Sequence, residues 1–277
     1  MKFTKMHGCG NDYVYVNCFE EKVENPNETA QIVSDRRFGI GSDGLILICP
    51  SSKADFEMKM YNADGSEGAM CGNGIRCVAK YVYDYGLTEK TKITVDTKAG
   101  IKSLDLNIEN GKAATVKVDM GAPVIKAEQI PVISEEDTVI AKMIDIAGMQ
   151  YEMTCVSMGN PHAIVFVEDV EKVEIEKTGP LFEHNKIFPD RVNTEFIQVI
   201  DRHTINMRVW ERGSGETWAC GTGACASVVA CVLNHKTEDE VLVHLKGGDL
   251  KIKYDQEKET VFMTGPATVV FDGEMNI

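Results

Sequence analysis

The chain has 277 residues, of which 43% are apolar and 26% are charged, and its formal net charge is -14. This length is enough for one large domain or two of ordinary size. The acidic charge and the lack of any basic run argue against nucleic-acid binding. No apolar run approaches the roughly 20 residues that a membrane-spanning helix needs.

Nine cysteines are spread along the chain without any C-x2-C pair. Such an odd, dispersed set is typical of a reducing compartment and argues against both a disulfide scaffold and a metal site. The first eight residues lack the apolar segment of a signal peptide. We therefore expect a cytoplasmic protein with no membrane partner, no nucleic-acid partner and no bound metal.

The first half of the chain predicts β-sheet with one principal helix. Strands are predicted over 13–16, 45–49 and 56–61, with a turn at 25–27 and a short helix over 29–37. An apolar-periodic helix over 75–85 follows and is stopped by Gly86. Three more alternating strands are predicted over 92–97, 101–108 and 114–119.

The second half predicts the same order of elements. A strand over 163–167 is followed by a helix near 180–184 and by strands over 194–199 and 205–210. A helix over 224–233 and strands from 241 complete it. The fold class is therefore α+β, with a mostly antiparallel sheet or barrel wrapped around a central helix in each half.

An internal repeat with a constant offset of 149 residues links the halves. It carries Asn11 onto Asn160, Asn62 onto Glu211 and Cys71 onto Cys220. Duplication predicts two pseudo-symmetric domains, 1–120 together with 266–277, and 121–265. Two copies related by a pseudo-twofold axis would bring like residues to face each other, and two opposed thiols suggest chemistry on both faces of one atom.

The segment from Gly39 to Gly44 matches G-x-G-x-x-G literally. As a dinucleotide-binding fingerprint it should follow a strand and open a helix. Here it follows a predicted helix and precedes a strand, so we interpret it as a turn.

Cysteine stands before each of the two apolar helices, in Cys71-Gly72-Asn73-Gly74 and Cys220-Gly221-Thr222-Gly223. Helix N-termini carry N–H groups without intrahelical partners and a partial positive charge, which together bind anions and lower the pKa of a thiol. A small buried cysteine is the ordinary structural alternative. Two matched copies, each at a glycine-rich helix start, favour a functional role.

Polar residues at or near the duplicated positions are candidates for binding a substrate. Each asparagine could instead form an ordinary turn, and Glu211 with Arg212 could form a surface ion pair. His162 could be a base beside a thiol or a hydrogen-bonded turn residue. Together, amides, a carboxylate and a guanidinium could satisfy both charged groups of an amino acid; the set is Asn11, Asn62, Asn160, Asn193, Glu211 and Arg212.

The motifs together resemble the diaminopimelate epimerase family, over the whole chain. They are His7-Gly8-x-Gly10-Asn11-Asp12, Asn62-Ala63-Asp64-Gly65-Ser66, Cys71-Gly72-Asn73-Gly74-x-Arg76-Cys77, Met158-Gly159-Asn160-Pro161-His162, Arg191-Val192-Asn193, Glu211-Arg212-Gly213 and Ala219-Cys220-Gly221-Thr222-Gly223.

The resemblance implies a cofactor-independent epimerase that converts LL-2,6-diaminopimelate to the meso isomer in lysine and peptidoglycan precursor biosynthesis, as a homodimer. Cys71 and Cys220 would be the acid/base pair, and the polar set above would bind the substrate. The reacting carboxylate would be held by the backbone at Gly72, Asn73, Gly221 and Thr222. Gly44 departs from the pattern, because some family members carry Gln there.

Three alternatives remain open. A related two-cysteine epimerase could act on another amino acid, such as histidine or proline. A hydrolase or transferase would use a single nucleophilic thiol with a histidine partner. A duplicated binding protein would have no catalytic activity.

Overall fold

The computed structural model of the protein describes residues 1–276, which contain eighteen strands and four α-helices. The chain divides into two compact units. Unit 1 comprises Met1–Asp119 together with the chain from Thr264 onward, and unit 2 comprises Met120–Met263.

The first part of the chain forms eight strands and two helices. They are β1 (Lys2–Gly8), β2 (Asn11–Asn17), α1 (Pro26–Ser34), β3 (Gly44–Cys49), β4 (Phe56–Asn62), β5 (Glu67–Gly68), α2 (Gly72–Asp84), β6 (Lys92–Thr97), β7 (Gly100–Glu109) and β8 (Lys112–Gly121).

The remainder forms ten strands and two helices within the described residues. They are β9 (Lys142–Ile146), β10 (Met149–Ser157), β11 (Pro161–Phe166), α3 (Ile175–Glu183), β12 (Asn193–Asp201), β13 (Thr204–Glu211), β14 (Gly215–Thr217), α4 (Gly221–Leu233), β15 (Glu240–Leu245), β16 (Gly248–Asp255), β17 (Thr260–Pro266) and β18 (Thr268–Glu274).

Strand pairing repeats from one unit to the other. In unit 1, β2 pairs antiparallel with β1 and parallel with β3, and β4 pairs antiparallel with β3 and parallel with β6. In unit 2, β11 and β13 make the same four kinds of pair with β10, β12 and β15. The register is also conserved, because Tyr15 lies opposite Ile46 and Ile164 lies opposite Glu195, 149 residues further along. The structure thus confirms the predicted duplication.

The strands of each unit curve around its principal helix. Helix α2 contacts β1, β2 and β7, and α4 contacts β10, β11 and β16. Because strands from opposite ends of the pairing order touch the same helix, the sheet has to bend around it. The predicted sheet wrapped on one helix is confirmed in both units.

Two predicted helices are wrong at their boundaries. Helix α1 begins at Pro26, inside the predicted turn, because proline suits the first helical position. It ends at Ser34 because the Asp35 carboxylate accepts hydrogen bonds from the next backbone N–H groups, at Arg37 and Phe38. Helix α3 begins five residues before Pro180, so proline does not mark its start.

The segment from Gly39 to Asp43 lies between α1 and β3 without regular structure, as predicted for a turn. Gly41 has φ +81°, a backbone conformation that favours glycine. Within residues 1–276, no helix combines the length and apolar character needed to cross a membrane.

Candidate active site

Unit 1 gathers its candidate residues at one end of the sheet. Asn11 begins β2, Gly44 begins β3, and Asn62 ends β4 opposite Gly44. The Cys71 thiol donates to Asn11 Oδ1 at 3.2 Å, which joins the start of α2 to this end of the sheet. Tyr13, two residues after Asn11 on β2, also hydrogen-bonds to Cys71.

Unit 2 gathers the equivalent residues in the same way. His162 lies opposite Asn193 on β12, and Glu211 ends the adjacent β13. The Cys220 thiol, at the start of α4, is hydrogen-bonded to Glu211. Each half of the chain therefore forms a half-site consisting of a thiol, a helix N-terminus and the ends of three strands.

Both thiols cap their helices. Cys71 Sγ accepts a hydrogen bond from Gly74 N at 3.3 Å, and Cys220 Sγ accepts one from Gly223 N at 3.4 Å. Both cysteines have extended backbone angles, as N-cap residues do. The two sulfur atoms therefore lie within the positive field of a helix N-terminus.

Glycine at the third helical position lets each helix start approach the sheet. A Cβ at Gly74 would lie 2.6 Å from Ile46 Cδ1, and one at Gly223 would lie 2.4 Å from Glu195 Oε1. Ile46 and Glu195 occupy the same place in the repeat. The helix is thus packed against hydrocarbon in unit 1 and against a buried carboxylate in unit 2.

Burial outweighs the helix field at both sulfur atoms, so the expected lowering of the thiol pKa is wrong. Burial raises the pKa of Cys71, although N–H donors from Gly74 and Asn73 oppose it. Burial raises the pKa of Cys220 well above its ordinary value, and the negative charges of Glu211 and Glu195 add to this effect. Both thiols are therefore protonated at neutral pH in the free protein.

The side chain of Asn11 is held in one orientation. Its Nδ2 donates to Asp43 Oδ2 at 2.8 Å, which leaves Oδ1 directed at the Cys71 thiol. Arg36 donates to Asp43 and forms an ion pair with Asp12, so the chain after α1 fixes this corner. A charged cluster outside the half-site thus positions an amide within it.

Asn62 and Asn73 serve different local roles. Asn62 Nδ2 donates to Ser66 Oγ at 3.0 Å, in the tight turn that follows β4. Asn73 Oδ1 accepts from the buried Arg76 guanidinium at 2.8 Å. The structure therefore brings Asn11 to the thiol, while the side chains of Asn62 and Asn73 are engaged with neighbouring residues.

Gly44 has no room for a side chain. A Cβ there would lie 2.1 Å from the Tyr61 carbonyl oxygen and 2.9 Å from Tyr13 Cε1. Its counterpart 149 residues on is Asn193, which does carry an amide.

In unit 2, a buried chain of polar groups leads to Asn160. Glu195 Oε1 lies 2.7 Å from His162 Nδ1, and His162 Nε2 lies 3.1 Å from Asn160 Oδ1. His162 and Glu195 are fully buried. The second carboxylate oxygen of Glu195 has no hydrogen-bond partner among the described residues.

Asn193 connects the ends of β11 and β13 next to this series of polar groups. Its Nδ2 donates to the Pro161 carbonyl at 2.8 Å, and its Oδ1 accepts from Arg212 N at 2.9 Å. The Arg212 guanidinium donates to the Asp190 carbonyl at 2.8 Å. Glu211 accepts a short hydrogen bond from the Thr217 hydroxyl. Thr222 Oγ1 lies 3.6 Å from Cys220 Sγ.

Sequence reasoning missed two residues of the half-sites, Tyr13 and Glu195. The pattern around Tyr13 indicates only an alternating strand, yet the repeat carries Tyr13 onto the candidate His162. Glu195 carried a usable signal, because it is an acidic residue within the otherwise uncharged segment 192–199. Within residues 1–276, no group of three or more acidic, histidine or cysteine side chains has the arrangement of a metal site.

Comparison with known proteins places the chain among epimerases. The family model described as "Diaminopimelate epimerase" matches residues 3–126 and 154–270. Proteins named diaminopimelate epimerase from Agathobacter rectalis and Acetivibrio thermocellus are 62% and 58% identical to it. These alignments cover the whole chain and 100% and 99% of the respective relatives.

Solved structures with low identity share the fold. A phenazine biosynthesis protein of the PhzF family from Bacillus anthracis has a TM-score of 0.73 at 19% identity, covering 100% of this chain and 99% of that one. A hydroxyproline epimerase from Agrobacterium vitis has a TM-score of 0.68 at 15% identity, covering 99% and 90%. Both confirm the two-domain α+β class.

Proposed function

The chain belongs to the diaminopimelate epimerase family, and from this premise we propose that it interconverts LL- and meso-2,6-diaminopimelate by a two-base mechanism using Cys71 and Cys220. The protein is an amino-acid epimerase of lysine and peptidoglycan precursor biosynthesis, and the reaction needs no cofactor. The observation that carries the mechanism is that two cysteines cap helices at duplicated positions, each accepting from the N–H three residues on.

The α-hydrogen of an amino acid is a very weak acid, so the carbanion has to be stabilised as it forms. The N-termini of α2 and α4 supply fixed positive potential for the α-carboxylate and its developing charge. In this proposal the backbone at Gly72–Asn73 and Gly221–Thr222 binds that carboxylate.

The raised thiol pKa values suit this chemistry. A thiolate whose conjugate acid has a raised pKa is a stronger base toward a weakly acidic carbon. Inversion requires one thiolate to remove the α-proton and the other cysteine, as a thiol, to deliver a proton to the opposite face. Glu211, hydrogen-bonded to Cys220, is the nearby carboxylate that can take up the Cys220 proton.

The remaining polar side chains bind the second amino-acid end of the substrate. Asn160, Asn193 and Arg212 belong to the strand ends of unit 2, and Asn11 and Asn62 belong to those of unit 1. A ligand lacking the distal ammonium and carboxylate leaves such groups unpaired, which weakens its binding. This requirement distinguishes the proposal from a proline or histidine epimerase.

Epimerisation in deuterium oxide tests the mechanism. Starting from LL-diaminopimelate, early product should carry deuterium at the inverted α-carbon, while recovered substrate stays protiated. A single-base enzyme instead returns part of the abstracted protium to the product. Substantial protium in the product contradicts the two-base mechanism, and the absence of any meso product contradicts the assigned activity.

We also propose that the protein is a homodimer, as the family resemblance implies, and that it is cytoplasmic, as its dispersed cysteines favour. Light scattering coupled to size-exclusion chromatography checks the oligomeric state. A mass near 30.6 kDa, that of one chain, contradicts the dimer. Fractionation of the source cells checks the location.

A further inference from the structure

Two cysteines outside the half-sites lie side by side on neighbouring strands of unit 1. The parallel pairing of β2 with β3 sets Asn17 opposite Ile48, so Cys18 and Cys49 occupy the next paired position. The backbone continues this register, because Cys18 N donates to the Ile48 carbonyl at 2.9 Å. Adjacent strands lie about 4.8 Å apart, which falls in the range of Cα separations that a disulfide spans.

The two side chains also point the same way. Val14 and Val16 precede Cys18 at alternate positions of one strand, and Leu47 precedes Cys49 on the other. All five belong to or pack against one apolar cluster of unit 1. Since side chains on one face recur every second residue, both thiols project to that face, where they hydrogen-bond to each other.

We infer that Cys18 and Cys49 form an oxidisable dithiol that closes to an intramolecular disulfide when it meets hydrogen peroxide. Cys18 is partly exposed and Cys49 is 9% exposed, so the oxidant reaches Cys18 first. Its thiolate sulfur attacks one peroxide oxygen and the O–O bond breaks, which leaves a sulfenic acid and releases water after protonation. The Cys49 sulfur then displaces the sulfenic oxygen as a second water, so two thiols are oxidised as one peroxide is reduced.

The electrostatics assign the same order. The hydrogen bond from Cys49 and the positive charge of Lys59 hold the pKa of Cys18 below its ordinary value. The thiolate is the nucleophile in this chemistry. Cys49 keeps its proton until the second step, because the hydrogen bond to Cys18 and burial raise its pKa.

Comparison with unit 2 shows that the strand pairing does not require the Cys18 and Cys49 thiols. The equivalent positions of unit 2 are Val167 and Gln198, and the backbone bond recurs there from Val167 N to the Ile197 carbonyl at 2.9 Å. Unit 2 thus has the same register without the dithiol. The disulfide would enclose α1 and Asp43, the residue that orients Asn11.

Peptide mapping after limited hydrogen peroxide treatment tests the inference. Chymotrypsin cleaves after Tyr13 and Tyr15 and so separates Cys18 from Cys9. We expect a peptide pair joined through Cys18 and Cys49 that dithiothreitol separates. We also expect a rise of about 5 °C in the midpoint of thermal unfolding. Cys18→Ser and Cys49→Ser should each lose both effects while retaining turnover.

A transplanted pair is the matched control. Val167→Cys with Gln198→Cys, made in the Cys18→Ser/Cys49→Ser background, should form the same link in unit 2. A product that joins Cys71 to Cys220 would be distinguished by its peptides and by lost turnover. The inference is overturned if Cys18 is oxidised to sulfinic acid while Cys49 stays free, or if Cys18 links to any other cysteine.

Discussion

The half-sites of unit 1 and unit 2 have the same backbone arrangement but differ in their polar side chains. Each has a cysteine N-cap, a glycine three residues later and strands in the same register. At the same repeat positions, however, unit 1 has Tyr13 and Ile46 where unit 2 has His162 and Glu195. The positive charge of Arg76 and backbone N–H donors act on the Cys71 thiol, whereas the negative charges of Glu211 and Glu195 act on the Cys220 thiol.

The two half-sites therefore share the thiols and differ in the charged groups that set their protonation. Burial raises the pKa of both sulfur atoms, but nearby negative charge raises that of Cys220 further. The asymmetry gives Cys71 the environment in which a thiolate forms more readily in the free protein, and gives Cys220 a carboxylate neighbour.

The largest expected effect on activity comes from removing the N-cap cysteines that both half-sites share. Cys71→Ala and Cys220→Ala should each reduce kcat/KM for epimerisation by more than about 10³-fold, because inversion needs a proton carrier on both faces. Cys231→Ala, in the buried part of α4, should retain near-normal turnover. Equal losses across all three variants would indicate a folding defect, which circular dichroism detects.

The second prediction concerns Glu195, whose counterpart in unit 1 is the apolar Ile46. Glu195→Gln should lower kcat by about 10- to 100-fold, because the carboxylate no longer holds His162 and the amide of Asn160 in place. Ile46→Val at the equivalent position of unit 1 should change kcat less than about twofold. The pH profile of kcat separates the explanations: a purely structural role for Glu195 leaves its shape unchanged, whereas loss of a positioning residue displaces a limb of the curve.

The sequence predicted the elements whose patterns are local. Helices α2 and α4 and the strands from β2 to β4 have clear apolar periodicity, and the repeat located both thiols. Strand β1 was missed because its Lys5 reads as exposed, yet Lys5 is buried against Asp12 at 2.5 Å. The raised pKa of each thiol was missed for a related reason, since burial depends on distant parts of the chain.

The third prediction concerns the difference in reactivity between the Cys71 and Cys220 thiols. Iodoacetamide at pH 7 should label Cys71 faster than Cys220, because the thiolate is the reactive form and the carboxylates beside Cys220 disfavour its ionisation. Peptide-resolved mass spectrometry reads the two rates, with the partly exposed Cys18 as the fast internal reference. Faster labelling of Cys220 would reverse the comparison.

The smallest effect concerns the pH dependence of stability at the position where unit 1 has Asn62 and unit 2 has Glu211. Burial raises the pKa of Glu211 above its ordinary value of 4.5, so the folded protein holds this proton more tightly than the unfolded chain. As pH rises above 4.5, the unfolded chain loses the proton first, and the wild type loses stability relative to a variant that cannot titrate. Glu211→Gln should therefore have a free energy of unfolding that is higher, relative to wild type, at pH 7 than at pH 4.

Asn62→Gln supplies the control for this last comparison, because neither side chain titrates and its difference from wild type should be the same at both pH values. Urea unfolding of the three proteins at pH 4 and pH 7 gives the required free energies. If Glu211→Gln instead loses stability on going from pH 4 to pH 7, the Glu211 carboxylate is stabilised rather than opposed by its surroundings. The hydrogen bonds from Thr217 and Cys220 would then outweigh burial, and Glu211 would be too weak a base to take up the Cys220 proton.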